Sequence, residues 1–373
     1  MFRKKKAVNE EAVLEVLGTV EDPDLHKDIV ELGFIKDLKI SGGKVSFKVE
    51  LTTPACPVKD QLKAECESKV GALEGVSDVA VEMTANVRGG GAMQGGLLQG
   101  VKNIVAVASG KGGVGKSTTA INIALALQES GASVGLLDAD VYGPSMAMMF
   151  GLSGQPQIGP NRKILPHEGF GVKVLSMGFL ADANRPVIWR GPMVHGLLQQ
   201  FMKDVDWGEL DYMVIDMPPG TGDAQLSISQ LTRLTGAVIV TTPQDISLLD
   251  ARKGLLTFTT LKVPVLGIIE NMSYFVCENC DHRHEIFSHG GGKRVADELE
   301  LPFLGEIPID PAVVVGSDSG KPIFIDSPES PTSQAYRDVA GQIAARLSVV
   351  QASGGAAAGG GQKPIMPEPF EWK

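Results

Sequence analysis

One stretch limits the fold more than any other: Ala108-Ser109-Gly110-Lys111-Gly112-Gly113-Val114-Gly115-Lys116-Ser117-Thr118-Thr119. The residues before it, Asn103-Ile104-Val105-Ala106-Val107-Ala108, are apolar and β-branched, which predicts a buried parallel strand. Those after it, Ala120 to Leu127, have the composition of a helix. Gly110, Gly115, Lys116 and Ser117 stand at the G-x-x-x-x-G-K-[ST] spacing, so strand, turn and helix together predict a phosphate-binding loop. Glycines without Cβ let successive backbone N–H groups converge on phosphate oxygens, and the positive end of the helix dipole lies behind them. Gly110, Gly112, Gly113, Val114 and Gly115 would form the cradle. Lys116 would reach the β- and γ-phosphates, Ser117 would offer a hydroxyl to Mg²⁺, and Thr118 would join them in holding Mg·ATP.

Two further strands end in acids. Val134-Gly135-Leu136-Leu137 leads to Asp138-Ala139-Asp140, and Tyr212-Met213-Val214-Ile215 leads to Asp216, followed by Met217-Pro218-Pro219-Gly220-Thr221-Gly222-Asp223. Carboxylates at the C-terminal ends of parallel strands face the crevice where open α/β sheets bind ligands. Asp216 therefore has the Walker B arrangement, holding Mg²⁺ through its water shell, and Gly220 has a backbone N–H to offer a γ-phosphate. Asp138 points to the metal environment or closes an Asx turn. Two more strands are expected at 237–241 and 264–269, the second running into Glu270-Asn271-Met272. Read by sequence alone, Asn271 is a polar loop residue. The N-K-x-D element that reads guanine is missing, which favours ATP. The predicted fold class is α/β: a doubly wound, mainly parallel sheet preceded by a small α/β domain.

That small domain is expected over 1–88. Val13, Leu14, Val16, Leu17 and Val20 form an apolar stripe with Asn9 as N-cap; strands near 35–40 and 45–51, a helix over 58–70 and a strand through Val79, Val81 and Met83 follow. In Thr52-Thr53-Pro54-Ala55-Cys56-Pro57, Pro57 suits a first helical position, which would make Cys56 the N-cap and its thiolate stabilised by free N–H groups. Cys56 as a packing cysteine is the equal alternative, and Cys66 reads as structural. A glycine-rich linker spans 89–100, the nucleotide domain 101–349, and a Gly/Ala/Pro-rich tail, expected to be disordered, 350–373, where Phe370 to Trp372 suggest a docking motif.

The charge of −10 and a pI near 5.2 argue against nucleic acid as a general partner. No apolar run reaches the roughly 20 residues that span a bilayer, so no membrane partner is expected. The basic Phe2-Arg3-Lys4-Lys5-Lys6 precedes an amphipathic stretch rather than an apolar one, unlike a secretory signal. Four cysteines in a chain of this length make no disulfide framework, so a reducing cytoplasm fits best.

Cys277 and Cys280 form a C-x-x-C followed by Asp281-His282-Arg283-His284. Two thiolates at this spacing chelate one soft metal centre. Two readings stay open. A two-fold dimer supplies four thiolates to one [4Fe–4S] cluster, or one chain binds zinc through both cysteines and two of His282, His284 and His289.

The second lysine of the loop, Lys111, resembles the deviant Walker A branch of P-loop proteins that includes MinD, ParA and the nitrogenase iron protein. The wider series is G-K-G-G-V-G-K-S-T, D-A-D-V-Y-G-P-S, W-R-G-P-M (Trp189–Met193), D-M-P-P-G-T-G-D, E-N-M-S-Y-F and C-x-x-C. It resembles the Mrp/ApbC family of iron–sulfur cluster carrier ATPases, and T-T-P-A-C-P with its helix and strand order resembles that family's metal–sulfur cluster assembly domain. The resemblance covers about 8–349. It implies a homodimer in which Lys111 crosses to the partner's nucleotide, Asp140 supports hydrolysis and Asn271 contacts adenine. It further implies that Cys277 and Cys280 hold a labile [4Fe–4S] cluster passed to recipient apoproteins, with slow ATP hydrolysis as the switch. The alternative is a MinD/ParA-like positioning or regulatory ATPase with structural zinc at the C-x-x-C. No basic amphipathic helix of the kind that cycles on membranes is evident in the tail.

Overall fold

The computed structural model describes residues 8–89, 96–180, 191–220, 223–277 and 279–353. Helix α1 (Glu10–Leu17) starts at Asn9, whose side chain accepts the Ala12 N–H at 3.1 Å. Strands β1 (Ile35–Ser41) and β2 (Lys44–Leu51) form an antiparallel pair. Helix α2 (Lys59–Gly71) then crosses over to β3 (Asp78–Ala85), which lies parallel to β2. Val45, Phe47, Val49 and Leu51 alternate inward on β2 and pack on Val13, Leu17, Leu62 and Val70 of the helices.

A nine-stranded sheet follows. Its elements are β4 (Val101–Ala108), α3 (Lys116–Glu129), β5 (Val134–Asp138), β6 (His167–Gly169), β7 (Val172–Leu175), α4 (Gly191–Lys203) and β8 (Leu210–Asp216). Then come α5 (Asp223–Leu231), β9 (Gly236–Thr241), α6 (Asp245–Thr260), β10 (Val265–Val276), β11 (Arg283–His284), α7 (Gly291–Glu298), β12 (Phe303–Ile309), α8 (Pro311–Ser319) and α9 (Pro331–Ala352). The strand order is β11-β10-β9-β4-β8-β5-β7-β6, with β12 beside β10, and only β6 and β11 pair antiparallel. The expected doubly wound, mainly parallel α/β fold is the one observed.

Alternation along the central strands builds both faces. Val105 and Val107 of β4 with Tyr212 and Val214 of β8 meet Ile121 and Leu125 of α3 and Ile343 of α9. Ile104, Ala106, Met213 and Ile215 point to the other face, against Leu198 and Phe201 of α4 and Leu255 and Phe258 of α6. Each such fully buried aliphatic or aromatic side chain contributes about 1.5–3 kcal/mol. With helices covering both faces, the C-terminal ends of β5, β8, β4, β9 and β10 lie side by side, and the loops there form one rim.

The small domain sits at the opposite rim. Tyr212, near the start of β8, donates its hydroxyl to Thr53 Oγ1 at 3.0 Å, and Thr52 Oγ1 donates to Ser348 Oγ of α9 at 2.9 Å. Gly341 lets the loop approach: a Cβ there would lie 3.1 Å from the Ala55 carbonyl oxygen and 3.5 Å from the Pro57 ring.

Two local expectations fail. Helix α2 begins at Lys59 with Val58 as its cap, so Pro57 is outside the helix and Cys56 is not the N-cap. The loop is instead held against α9, and Cys56 closes a turn through its carbonyl, which accepts the Lys59 N–H at 3.3 Å. Secondly, the strand expected to end at Ile269 continues to Val276, so Glu270 and Asn271 are strand residues. β12 and β11 supply the pairing: Glu270 faces Glu306, Asn271 faces Ile307 and Phe275 faces His284.

Candidate nucleotide loop and thiol hairpin

β4 delivers the chain to the glycine-rich loop, and α3 starts at Lys116. The loop fits its surroundings only with glycine at both ends. A Cβ on Gly110 would lie 2.1 Å from the Asp250 carbonyl carbon of α6, and one on Gly115, whose φ is 79°, would lie 2.2 Å from Asn271 Nδ2. Asn271 comes from β10 and donates through Nδ2 to the Val114 carbonyl at 2.8 Å, so it pins the loop from the side. Gly112 and Gly113 are exposed, and Lys111 is half-buried with its carbonyl accepting the Ser109 hydroxyl at 2.9 Å. The Thr118 carbonyl accepts from Asn122 Nδ2 at 2.8 Å.

Lys116 is buried and forms an ion pair with Asp216. Ser117 Oγ donates to the other oxygen of the same carboxylate at 2.6 Å, and Asp140 Oδ2 lies 4.0 Å from Lys116 Nζ. The fold thus brings Lys116, Ser117, Asp140 and Asp216 into one cluster. Asp138 sits opposite Asp216 in the strand register. Burial, and then the Asp216 charge, push its carboxyl up to about 7, against opposing hydrogen bonds from Ser176 Oγ at 2.7 Å and the Asp140 N–H at 3.1 Å. Burial also raises Asp216, with Lys116 and Ser117 opposing it.

The turn after Asp216 is already engaged. Its Gly220 N–H donates to the Ser109 carbonyl at 3.0 Å. Buried Gln225 donates to the Pro218 carbonyl at 3.2 Å and also to that of Gly220. Sequence reading missed Gln225, whose only signal is an amide just after the turn in the first turn of a helix. Thr221 and Gly222, like Trp189 and Arg190, lie outside the described residues.

β10 leads directly to the second feature. The Cys277 N–H donates to the His282 carbonyl at 3.0 Å, and the Asp281 N–H to the Cys277 carbonyl at 2.8 Å, closing a tight hairpin. The Asn279 N–H, the Cys280 thiol and the Cys280 N–H donate to the Cys277 sulfur and hold it below the ordinary thiol value. Cys280 is exposed. The exposed His282 and His284 stack edge to face at 4.6 Å. His289 is drawn elsewhere, to Ser273 Oγ at 3.2 Å and Arg283 at 3.1 Å. Among the described residues, three or more metal-ligating side chains converge only at Glu270, His289 and Glu306, a set without either cysteine. The single-chain zinc site of two cysteines and two histidines is therefore not assembled among them.

Cys56 lies at the small domain's seam with α9, on the rim away from the nucleotide loop. Burial pushes its thiol up to about 11; the Val58 N–H opposes this, while the Asp22 and Asp24 carboxylates add to it. The expected stabilised thiolate is not found. Only the thiolate is nucleophilic and each unit of pKa is a factor of ten, so iodoacetamide at pH 8 should alkylate Cys56 at least about tenfold more slowly than Cys277. Equal rates, resolved by peptide mass spectrometry, would contradict the half-buried placement beside the Asp22 and Asp24 carboxylates.

Among the described residues no helix is long and apolar enough to cross a membrane. A family model described as NUBPL iron-transfer P-loop NTPase matches residues 100–344, and one described as iron-sulfur cluster assembly protein matches 10–83. The iron-sulfur cluster carrier protein of Synechocystis sp. is 50% identical over 345 residues, 91% of this chain and 98% of that relative. The mouse iron-sulfur cluster transfer protein NUBPL is 48% identical over 252 residues, covering 67% and 79%. Among solved structures, a nucleotide-binding protein of Archaeoglobus fulgidus in complex with ADP is 38% identical. It covers 64% of this chain and 92% of its own, with a TM-score of 0.56.

Proposed function

The chain belongs to the family of NUBPL iron-transfer P-loop NTPases, and from that premise we propose that it is an ATP-dependent carrier of iron–sulfur clusters. Two chains bind one labile [4Fe–4S] cluster through Cys277 and Cys280 of each and pass it to recipient apoproteins in the cytoplasm. The observation that carries this reading is the hairpin itself. It presents two sulfurs at the tip of a strand, one of them stabilised as thiolate by backbone N–H donors, with no histidine converging on them among the described residues. Two thiolates leave a cubane half-ligated, and a two-fold copy completes the set.

In the nucleotide site, Gly110 to Thr118 cradle the phosphates and Asn271 borders the base. Lys116 leaves Asp216 for the β- and γ-phosphates, and Lys111 reaches the partner's nucleotide. The residues suit Mg²⁺: Asp216 is a buried carboxylate beside the Ser117 hydroxyl, an all-oxygen donor set of the kind this ion takes. The ion would neutralise charge that develops on the phosphates. Asp140, 4.0 Å from Lys116 Nζ, lies where it can orient an attacking water. Gly220 exchanges its bond to the Ser109 carbonyl for a γ-phosphate oxygen, which couples hydrolysis to the switch turn. Hydrolysis is expected to be slow without partners.

The test is iron, acid-labile sulfide and zinc per subunit in protein purified without oxygen, before and after reconstitution. About two iron and two sulfide per subunit, half of a shared four-iron cluster, is the expected content. One zinc per subunit with no iron taken up would leave a regulatory ATPase with a structural metal.

A further inference from the structure

Glu270 stands next to the loop-pinning Asn271 on β10, and its carboxylate is fully buried. It accepts from Ser273 Oγ at 2.7 Å, from the Gly290 N–H at 3.0 Å and from the Gly292 N–H. The Gly290-Gly291-Gly292 run that opens α7 is moulded to it. Gly290 has a φ of 71°, and a Cβ on Gly292 would lie 3.1 Å from both Glu270 Cβ and Oε2. A glycine-rich helix start is an anion-binding element, and here its N–H groups are taken by the chain's own Glu270 side chain.

That carboxylate closes the base of the thiol hairpin. The chain leaves Glu270 along β10, turns at Cys277 to His282, returns along β11, and is caught again at Gly290 and Gly292. Arg283 braces the return. Its guanidinium lies 3.8 Å from the Tyr274 ring centroid, 3.1 Å from His289 Nδ1 and 3.0 Å from Glu306 Oε2. The same cation engages His289 and Glu306, two of the three side chains that converge with Glu270. Between the base and the tip, Met272 adopts a left-handed φ of 56°, and β10 slips against β12: Asn271 pairs with Ile307, yet Phe275 pairs with Ile309. The bulge is an element that can take up a shift of one end relative to the other.

We infer that Glu270 is a positioning residue that holds the Cys277–Cys280 hairpin in register with the nucleotide loop, so that a nucleotide bound at the loop changes the reactivity of the two thiols. Asn271 reports the state of the Val114 carbonyl, and Glu270, one residue away, fixes the strand that carries it against the hairpin's return. Only the identity of the thiols' cargo rests on the carrier reading.

The experiment measures iodoacetamide alkylation of Cys277 and Cys280 in metal-free full-length protein, resolved by peptide, with and without Mg·ADP. In the parent protein Mg·ADP should change the rate by about fivefold or more, the lower end of ordinary coupling between sites. In Glu270→Gln, which sets an amide N–H₂ against one of the two backbone donors, the rates with and without Mg·ADP should converge while ADP still binds. Ser273→Ala removes a single donor and should lose part of the response, which keeps the test open if Glu270→Gln does not fold. Thiols indifferent to Mg·ADP in the parent protein, or a full response in both variants, would overturn the inference. Failure of iron loading with the thiol response intact would end the carrier reading alone.

Discussion

Replacing Cys277 by serine should reduce iron and sulfide after reconstitution to background, a loss of at least about tenfold, and should abolish delivery to an apoprotein. A serine hydroxyl is a hard oxygen that stays protonated at neutral pH, whereas iron–sulfur clusters are held by soft thiolates. The N–H groups of Asn279 and Cys280 that stabilise the Cys277 sulfur would face a neutral hydroxyl instead. One substitution removes two of the four ligands of a shared cluster, because both chains carry it. Nucleotide should still bind, since the glycine loop joins β4 to α3 whereas the hairpin tip lies beyond the end of β10. Elemental analysis beside an ADP titration separates the effects, and a full cluster retained in Cys277→Ser would remove this pair from the ligand set.

The fold was legible because its determinants are local and repeated. Apolar β-branched runs ending in a glycine turn or an acid specify strands whose C-terminal ends share a rim, and the alternation of Ile104, Val105, Ala106 and Val107 supplies both faces of the core. The strand through Glu270 was misread for the opposite reason. Glu-Asn-Met-Ser has the polarity of a loop, and it is a strand because Glu270 and Asn271 find further partners in distant chain. Asn271 finds the Val114 carbonyl, and Glu270 finds Ser273 and two glycine amides. Pairing with β12 and β11 is equally non-local. A composition rule has no access to these partners.

The site divides in the same way. Lys116, Ser117, Asp140 and Asp216 come together as strand-end chemistry predicts. Of the two equal readings of Cys56, the N-cap one did not survive, because it assumed that a proline marks the first helical residue. The contact of Ala55 and Pro57 with α9 at Gly341 draws the loop away from the helix start. Ser176, Gln225 and Glu270 escaped notice since none belongs to a motif. Each acts through hydrogen bonds to residues distant in sequence or to a turn whose shape the sequence does not state.

The two lysines of the loop make the sharpest functional prediction, because the structure gives them different surroundings. Lys116 is buried against Asp216, so Lys116→Ala leaves an unpaired buried carboxylate, which costs about 3–5 kcal/mol unless it takes up a proton. It should bind nucleotide poorly and hydrolyse none. Lys111 is half-buried, with no acid paired to it among the described residues, and Lys111→Ala should leave nucleotide binding near the parent value. Its hydrolysis should nonetheless fall by about a thousandfold, the lower range for a cation supplied in trans to the transferring phosphoryl group. Mixing the two inactive proteins is decisive. In a mixed dimer, the site of the Lys111→Ala chain keeps its own Lys116 and receives Lys111 from the Lys116→Ala chain, so that site is complete. Activity should return toward a quarter of the parent level, as expected when half the dimers form mixed and each has one working site of two. If Lys111 served its own chain's nucleotide, no combination would complete a site, and the mixture would stay as inactive as its components.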